Sequence, residues 1–475
     1  MIRTYLDWGV ISSLKNLHDD EEPYISLNRI LTKNTNDVLI PYTSAHLSDL
    51  LTSYKQSEAG KIQTELDLLY LEKLTANNCI LYDYQNQTTY PSAYPINKYF
   101  AELLENDSIK VGNFDSFLSS FTNNDLNNKF STSLDTLKLI PSGIDPDKYK
   151  LLSPKFNKFK DTFCLNQHNT NYYDLLKGSF DLIAGYHEDP NMYRQLRNAV
   201  LQEAGLMVDY SKCENPIKEI SIRLKSSVLN MTFEEFADNN IKSQFKNRQP
   251  SKFDIFTNHY ILLDFLGYQK DKRMKNLIQD AFHAYYGAHC DFFVTDDKNT
   301  YQKSKALYQY FNVETIVCST KEFIWKYFGK ATLNINSHIS IGEAINNSLR
   351  TSFIVKQGLN KNLNEYVLHK LDYPLLCFFN RLQLTYLSNS KFVIQLFKNT
   401  KNYSSFIFEW EIAVLVNKLV AEFGIDENGN DFFEPSKEIA KLHEGSWAGR
   451  TWIINSQKFE MYLLDYHDLI LAVSN

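Results

Sequence analysis

The octapeptide CDFFVTDD, Cys290–Asp297, decides how this chain is read. Its apolar centre has the length and aromatic, β-branched character of a buried strand, and it closes on a threonine and two aspartates. A helical pattern, MKNLIQDAFHAYYGAH (274–289), leads into it, and a second, YQKSKALYQYF (301–311), leads out towards another strand, VETIVCS (313–319). One strand between two helices, with short links, is the unit from which parallel sheets are assembled.

The same rhythm opens the chain. TYLDWGVI (4–11) reads as a short buried strand, bounded by the helix-like ISSLKNLHDD (11–20) and the amphipathic YISLNRILTKN (24–34). VLIPYTSAH (38–46) reads as a strand that hands over to helix at Thr43–Ser44, followed by LSDLLTSY, KIQTELDLLYLEKL and a further strand, CILYDY (79–84). The expected fold is therefore α/β, a parallel sheet flanked by helices, in two parts at residues 1–105 and 250–330. Between them, residues 106–249 are polar and helical in flavour, with turn signals such as PSGIDPDKY and GYHEDPNMY, and read as a helical insertion or cap. Beyond 330, KFVIQLF, SSFIFEWEIAVLVNKLVAEFG, RTWIINS and FEMYLLDYHDLILAV predict a C-terminal α+β domain over 331–475.

Composition narrows the function. A formal charge of -6 over 475 residues excludes a protein that coats nucleic acid through a global positive field. Any grip on phosphate must come from metal ions or local basic patches, of which IKSQFKNRQPSK (241–252) and YQKDKRMKN (268–276) are the candidates. The six cysteines are scattered without CxxC or zinc-ligand spacing, so reduced, buried thiols are expected. The N-terminus lacks a secretory pattern, and no apolar run approaches the roughly 20 residues of a spanning helix, so the expected location is cytoplasmic, with no membrane partner.

The chemistry lies in the aspartates. A carboxylate at the end of a parallel strand stands on the edge where open α/β sheets build their sites. Asp7 closes the first strand and Asp297 closes FFVTD. Asp280 lies on the helix before that strand, and Asp49 one turn into the helix after VLIPY. Four converging carboxylates repel one another unless a cation lies among them, and Mg²⁺ and Mn²⁺ prefer oxygen ligands and bridge to phosphates.

In order and spacing these segments resemble the PIN family of nucleases. Tyr5-Leu6-Asp7 matches its opening strand, Thr43, Ser44 and Asp49 its hydroxyl-then-acid helix, and Asp280-Ala281 followed by Val294-Thr295-Asp296-Asp297 its closing elements. Asp49 departs from the usual glutamate, and Asn299 stands where many relatives carry another acid. Asp296 competes with Asp297 for the ligand position, which the alignment gives to Asp297. The resemblance implies Mg²⁺ or Mn²⁺ held by Asp7, Asp49, Asp280 and Asp297, with Thr43, Ser44, Thr295 and Asn299 in support. His283, one helical turn after Asp280 and on the same face, is a further supporting candidate where relatives usually carry a small apolar residue. Lys303 and Lys305 follow on the next helix as candidate phosphate contacts.

The implied activity is endoribonuclease hydrolysis of RNA, as in toxin, defence or processing nucleases, with a protein partner recruited through the C-terminal domain. A structure-specific DNA nuclease and a catalytically silent PIN-like scaffold are the alternatives. GSWAGRTW (445–452) lacks phosphate-loop spacing and reads as a tight turn.

Overall fold

A computed structural model describes residues 1–17, 22–33, 36–107, 190–203, 205–210, 213–227, 230–244, 248–328, 340–387, 391–399, 402–404, 406–464 and 468–474. Most of the predicted insertion, 108–189, lies outside the described residues. In chain order the elements are β1 (Ile2–Leu6), α1 (Trp8–Lys15), α2 (Tyr24–Lys33), β2 (Val38–Leu39), α3 (Ser44–Gln56), α4 (Glu58–Thr75), β3 (Asn78–Asp83), β4 (Thr88–Ala93) and α5 (Ile96–Asp107). Next come α6 (Pro190–Glu203), α7 (Pro216–Ser226), α8 (Phe233–Gln244), α9 (Lys252–Phe265), α10 (Met274–Gly287), β5 (Phe292–Val294), α11 (Lys298–Tyr310) and β6 (Ile316–Cys318). The C-terminal region contributes α12 (Ile341–Thr351), β7 (Phe353–Leu359), β8 (Glu365–Leu375), β9 (Phe379–Tyr386), β10 (Phe392–Phe397), α13 (Glu409–Phe423), α14 (Pro435–His443), β11 (Arg450–Ile454), β12 (Gln457–Leu464) and β13 (Asp468–Ser474).

The fold is mixed α/β. A four-stranded sheet runs in the order β2-β1-β5-β6 with every pair parallel. Tyr5 faces Phe293 and Leu6 faces Val294 in register, so the strand ends carrying Asp7 and Thr295 lie side by side. The Asp7 N–H donates to the Val294 carbonyl at 2.9 Å, which extends the ladder one residue past the strand. β1 is buried at every position, as expected of a parallel strand covered on both faces. It stops at Leu6, and Trp8 already opens a helix, so the strand read over 4–11 is shorter than its apolar run. CILYDY forms an antiparallel hairpin with β4, and its Cys79 makes an isolated parallel bridge to Tyr42, three residues past the end of β2.

The chain divides into two compact units: Met1–Ile96 with His283–Asn475, and Asn97–Phe282. The described elements of the second unit are all helical. α9, which the sequence reading assigns to the sheet part, belongs to this helical unit for a visible reason. The buried Asp264 on α9 accepts from Tyr193 (2.6 Å) and Arg197 (2.5 Å) of α6 and from the Asp271 N–H (2.5 Å).

The first unit also contains a seven-stranded antiparallel sheet, β11-β12-β13-β10-β9-β8-β7. Arg3, on β1, ties the parallel sheet to α13 and to the segment just before it. Its guanidinium forks onto Glu411 of α13 at 2.8 and 2.6 Å and also reaches Ser404 (2.5 Å) and the Phe406 carbonyl (2.8 Å). Lys398 pairs with Asp291, and Lys418 with Asp37. Residues 331–475, expected as a domain of their own, thus share one compact unit with the parallel sheet over their described part. GSWAGRTW is the expected turn. Gly449 has φ +77°, and a Cβ there would meet the Met461 carbonyl at 2.2 Å, so no larger residue fits. Arg450 is buried against Asp426 and Glu438.

Among the described residues, Cys79, Cys213, Cys290, Cys318 and Cys377 are free thiols. No described helix is long and apolar enough to cross a membrane.

Candidate active site

Strand period two sends Arg3, Tyr5 and Asp7 to one face of β1. Arg3 is taken up by Glu411, and Tyr5 and Asp7 face the start of α3 and the end of α10. At the carboxyl end of the sheet, Asp7 Oδ2 accepts from the Thr295 hydroxyl at 2.7 Å. His283, buried on α10, points its Nε2 at two carboxylates: Asp49 Oδ2 at 2.9 Å and Asp7 Oδ1 at 3.9 Å. Two acids from separate segments of the sequence therefore converge on one ring nitrogen.

A chain of hydrogen bonds stands behind that nitrogen. His283 Nδ1 lies 2.9 Å from the Tyr5 hydroxyl, which lies 2.8 Å from Thr43 Oγ1. An ionised carboxylate only accepts, so Nε2 carries the proton towards Asp49, and in the neutral ring Nδ1 accepts from the Tyr5 O–H. Thr43 then donates to Tyr5. Burial pushes the Tyr5 phenol well above its usual range, so it keeps its proton.

His46 closes the arrangement from the other side. Its Nδ1 accepts from the Thr43 N–H at 3.1 Å and its Nε2 donates to the Leu6 carbonyl at 2.8 Å, the residue before Asp7. Burial, then the neighbouring His283, holds His46 well below the ordinary histidine range, so it is neutral at physiological pH. The rings of Tyr5, His46 and His283 pack together with centroids 4.9 to 5.8 Å apart.

Asp7 is the strained member. Burial raises its pKa, His283 and the Thr295 hydrogen bond lower it, and Asp49 raises it again, with a net shift upwards. A nearly buried carboxylate beside a second one favours any added positive charge.

The remaining expected residues are distributed as follows. Asp297 is exposed and caps α11, accepting from the Thr300 N–H at 2.7 Å, and its own N–H donates to Thr295 Oγ1 at 3.2 Å. Thr295 thus links Asp297 to Asp7. Asp296 uses both oxygens elsewhere, accepting from Thr320 N–H and hydroxyl and from the Tyr24 hydroxyl. Ser44 bonds Tyr286 at 3.0 Å. Asn299 is half-buried in the first turn of α11. Lys303 is fully buried, whereas Lys305 is exposed with its ammonium 5.8 Å from the Tyr301 ring centre. Asp280 belongs to the second unit, three residues ahead of His283 on α10. Tyr5 and His46 are the members that sequence reasoning missed. Their signals were present: Tyr5 shares a strand face with Asp7, and His46 occupies the third position of a helix that opens on a threonine cap.

Among the described residues, no three His, Cys, Asp or Glu side chains are grouped to hold a metal ion. Magnesium needs fewer, since it is commonly bound through one or two carboxylates, with water and substrate phosphate completing its shell. The Asp7–Asp49 pair fits that requirement. No family model, curated protein or solved structure matches the chain.

Proposed function

We propose that the chain is a divalent-metal-dependent endoribonuclease of PIN-like type. The observation that carries the reading is the convergence of Asp7 and Asp49 on His283 Nε2 at the carboxyl end of a parallel sheet. Asp7 and Asp49 would hold Mg²⁺ or Mn²⁺. Such an ion supplies an activated water and neutralises charge on a phosphodiester. Asp297 is favoured over Asp296 as a further contributor, because Asp296 is committed to Thr320 and Tyr24. The resemblance adds Asp280, whose place one turn before His283 on the same helix supports testing it alongside. Of the two lysines, Lys305 is the better phosphate contact, being exposed. RNA as substrate and a toxin or defence role rest on the family resemblance, while a cytoplasmic location and a protein partner for the C-terminal region rest on the reading of the sequence.

A silent PIN-like scaffold is the second reading, and the absence of a third grouped metal-binding side chain among the described residues favours it. Incubation with single-stranded RNA, single-stranded DNA and flapped DNA in Mn²⁺ separates the readings. Cleavage of RNA by the wild type and not by Asp7→Asn supports the ribonuclease. Preferential cleavage of flapped DNA makes it a DNA nuclease, and no cleavage of any substrate leaves the scaffold.

A further inference from the structure

Tyr5 makes a bond that its place in a core does not require. Phe293 packs edge-on against its ring at 5.7 Å, and a phenylalanine would satisfy that contact equally. The hydroxyl, however, is buried between Thr43 and His283 and completes a chain that ends on Asp49. An imidazole alone can place its proton on either nitrogen. With the Nε2 proton turned to the Asp49 carboxylate, Nδ1 is the acceptor, and the Tyr5 hydroxyl is the donor that satisfies it and supports that tautomer.

We infer that Tyr5, acting through His283, is a positioning residue that fixes the Asp49 carboxylate for a divalent cation shared with Asp7. The inference rests on the metal site proposed above. Asp49 Oδ2 is held by His283 Nε2, which itself lies 3.9 Å from Asp7 Oδ1, so the ring fixes one acid beside the other. Asp49 comes from α3, His283 from α10 and Tyr5 from β1, so three elements must agree before the acid is placed. Outer hydrogen bonds of this kind orient metal-binding side chains, and their loss commonly weakens metal affinity by roughly 10- to 100-fold.

Mn²⁺ binding to the full chain, measured by calorimetry and by the electron paramagnetic resonance signal of free Mn²⁺, tests this without relying on catalysis. Tyr5→Phe and Thr43→Val interrupt the chain at two points, and His283→Leu removes its end. His283→Gln keeps an N–H near the position of Nε2 and has no tautomer to set. The expected result is about 10-fold weaker Mn²⁺ binding in Tyr5→Phe and at least as great a loss in His283→Leu. His283→Gln should recover most of the affinity, and adding Tyr5→Phe to it should cost nothing more, a non-additivity that a purely structural role for Tyr5 would not produce. Thermal melts identify any variant that is simply unfolded, in which case Thr43→Val carries the comparison. Wild-type affinity in Tyr5→Phe, Thr43→Val and His283→Leu alike overturns the inference and leaves the metal site standing. No Mn²⁺ binding by the wild type overturns the metal site and the inference with it.

Discussion

The Thr295 hydroxyl donates to Asp7 Oδ2 over 2.7 Å and accepts from the Asp297 N–H at 3.2 Å, so one side chain joins the ends of two parallel strands to the start of a helix. Thr295 is itself fully buried. Its replacement by valine keeps the shape and removes the donor from a carboxylate with little access to water. Thr295→Val is expected to destabilise the protein by about 1–3 kcal/mol, the cost of leaving a buried acceptor unsatisfied. Thr295→Ser should recover most of that loss. Urea denaturation of the three proteins at neutral pH measures it.

Asp7 carries the opposite expectation. Its folded-state pKa is raised, so its ionised form opposes folding, and its contribution to stability is lost as pH rises through that raised value. In metal-free protein, Asp7→Asn should therefore raise stability at pH 7, by about 0.5–2 kcal/mol, the usual gain when one unfavourable charge is relieved. The gain should shrink below the ordinary carboxylate pKa, where Asp7 is protonated in both states. Melting curves between pH 4 and pH 8 in a chelator test this. A variant less stable than wild type at every pH would show that Asp7 is a structural acceptor and not a strained acid.

Asp297 serves as helix cap whatever else it does, and two substitutions separate the roles. Asn also caps well, so Asp297→Asn should change stability little, while Asp297→Ala should cost about 1 kcal/mol. If Asp297 also serves the metal site, Asp297→Asn loses nuclease activity or Mn²⁺ affinity at nearly wild-type stability. Equal activity in Asp297→Asn and wild type would confine the residue to capping.

Local patterns made the sheet readable. FFV and the apolar run before Asp7 are short enough to be strands, and the helices around them have the right period, so the α/β class and the strand ends bearing acids could be read directly. Where β1 ends could not be read that way, because Trp8, Val10 and Ile11 are apolar in the core-facing turn of a helix as they would be in a strand. Nor could α9 be assigned to the helical unit, since the Tyr193–Arg197–Asp264 cluster joins residues about 70 positions apart. The same limit hid the site's inner layer. Tyr5 and His46 look like ordinary core residues in the sequence; the path from Thr43 through Tyr5 and His283 to Asp49, and the bonds of His46 to Thr43 and Leu6, form only in the folded chain. His283 was visible as a neighbour of Asp280 by helical phase, yet the structure directs it towards Asp49 and Asp7.

The tie between β1 and α13 gives the last prediction. Arg3 and Glu411 are both buried, and Arg3 sits two residues before Tyr5 and four before Asp7 on the same strand face. Burial alone would raise the pKa of Glu411, but Arg3 and Lys398 overcome it and bring the value from 4.5 down to about 2. A lowered carboxylate pKa contributes stability above the unfolded value, and that contribution drains away as pH falls from about 4.5 to about 2. Breaking the pair by Glu411→Gln strands a buried guanidinium and should cost about 3–5 kcal/mol at pH 7. The penalty should fall as the buffer is taken from about pH 4.5 towards pH 2, because the unfolded wild type then gains a proton that folded Glu411 does not take up until about pH 2. If β1 transmits the disturbance, Mn²⁺ affinity at the Asp7 end should weaken in Glu411→Gln under conditions where the variant remains folded. Unchanged affinity would mean that Arg3 anchors β1 to α13 without influencing the strand end that carries Asp7.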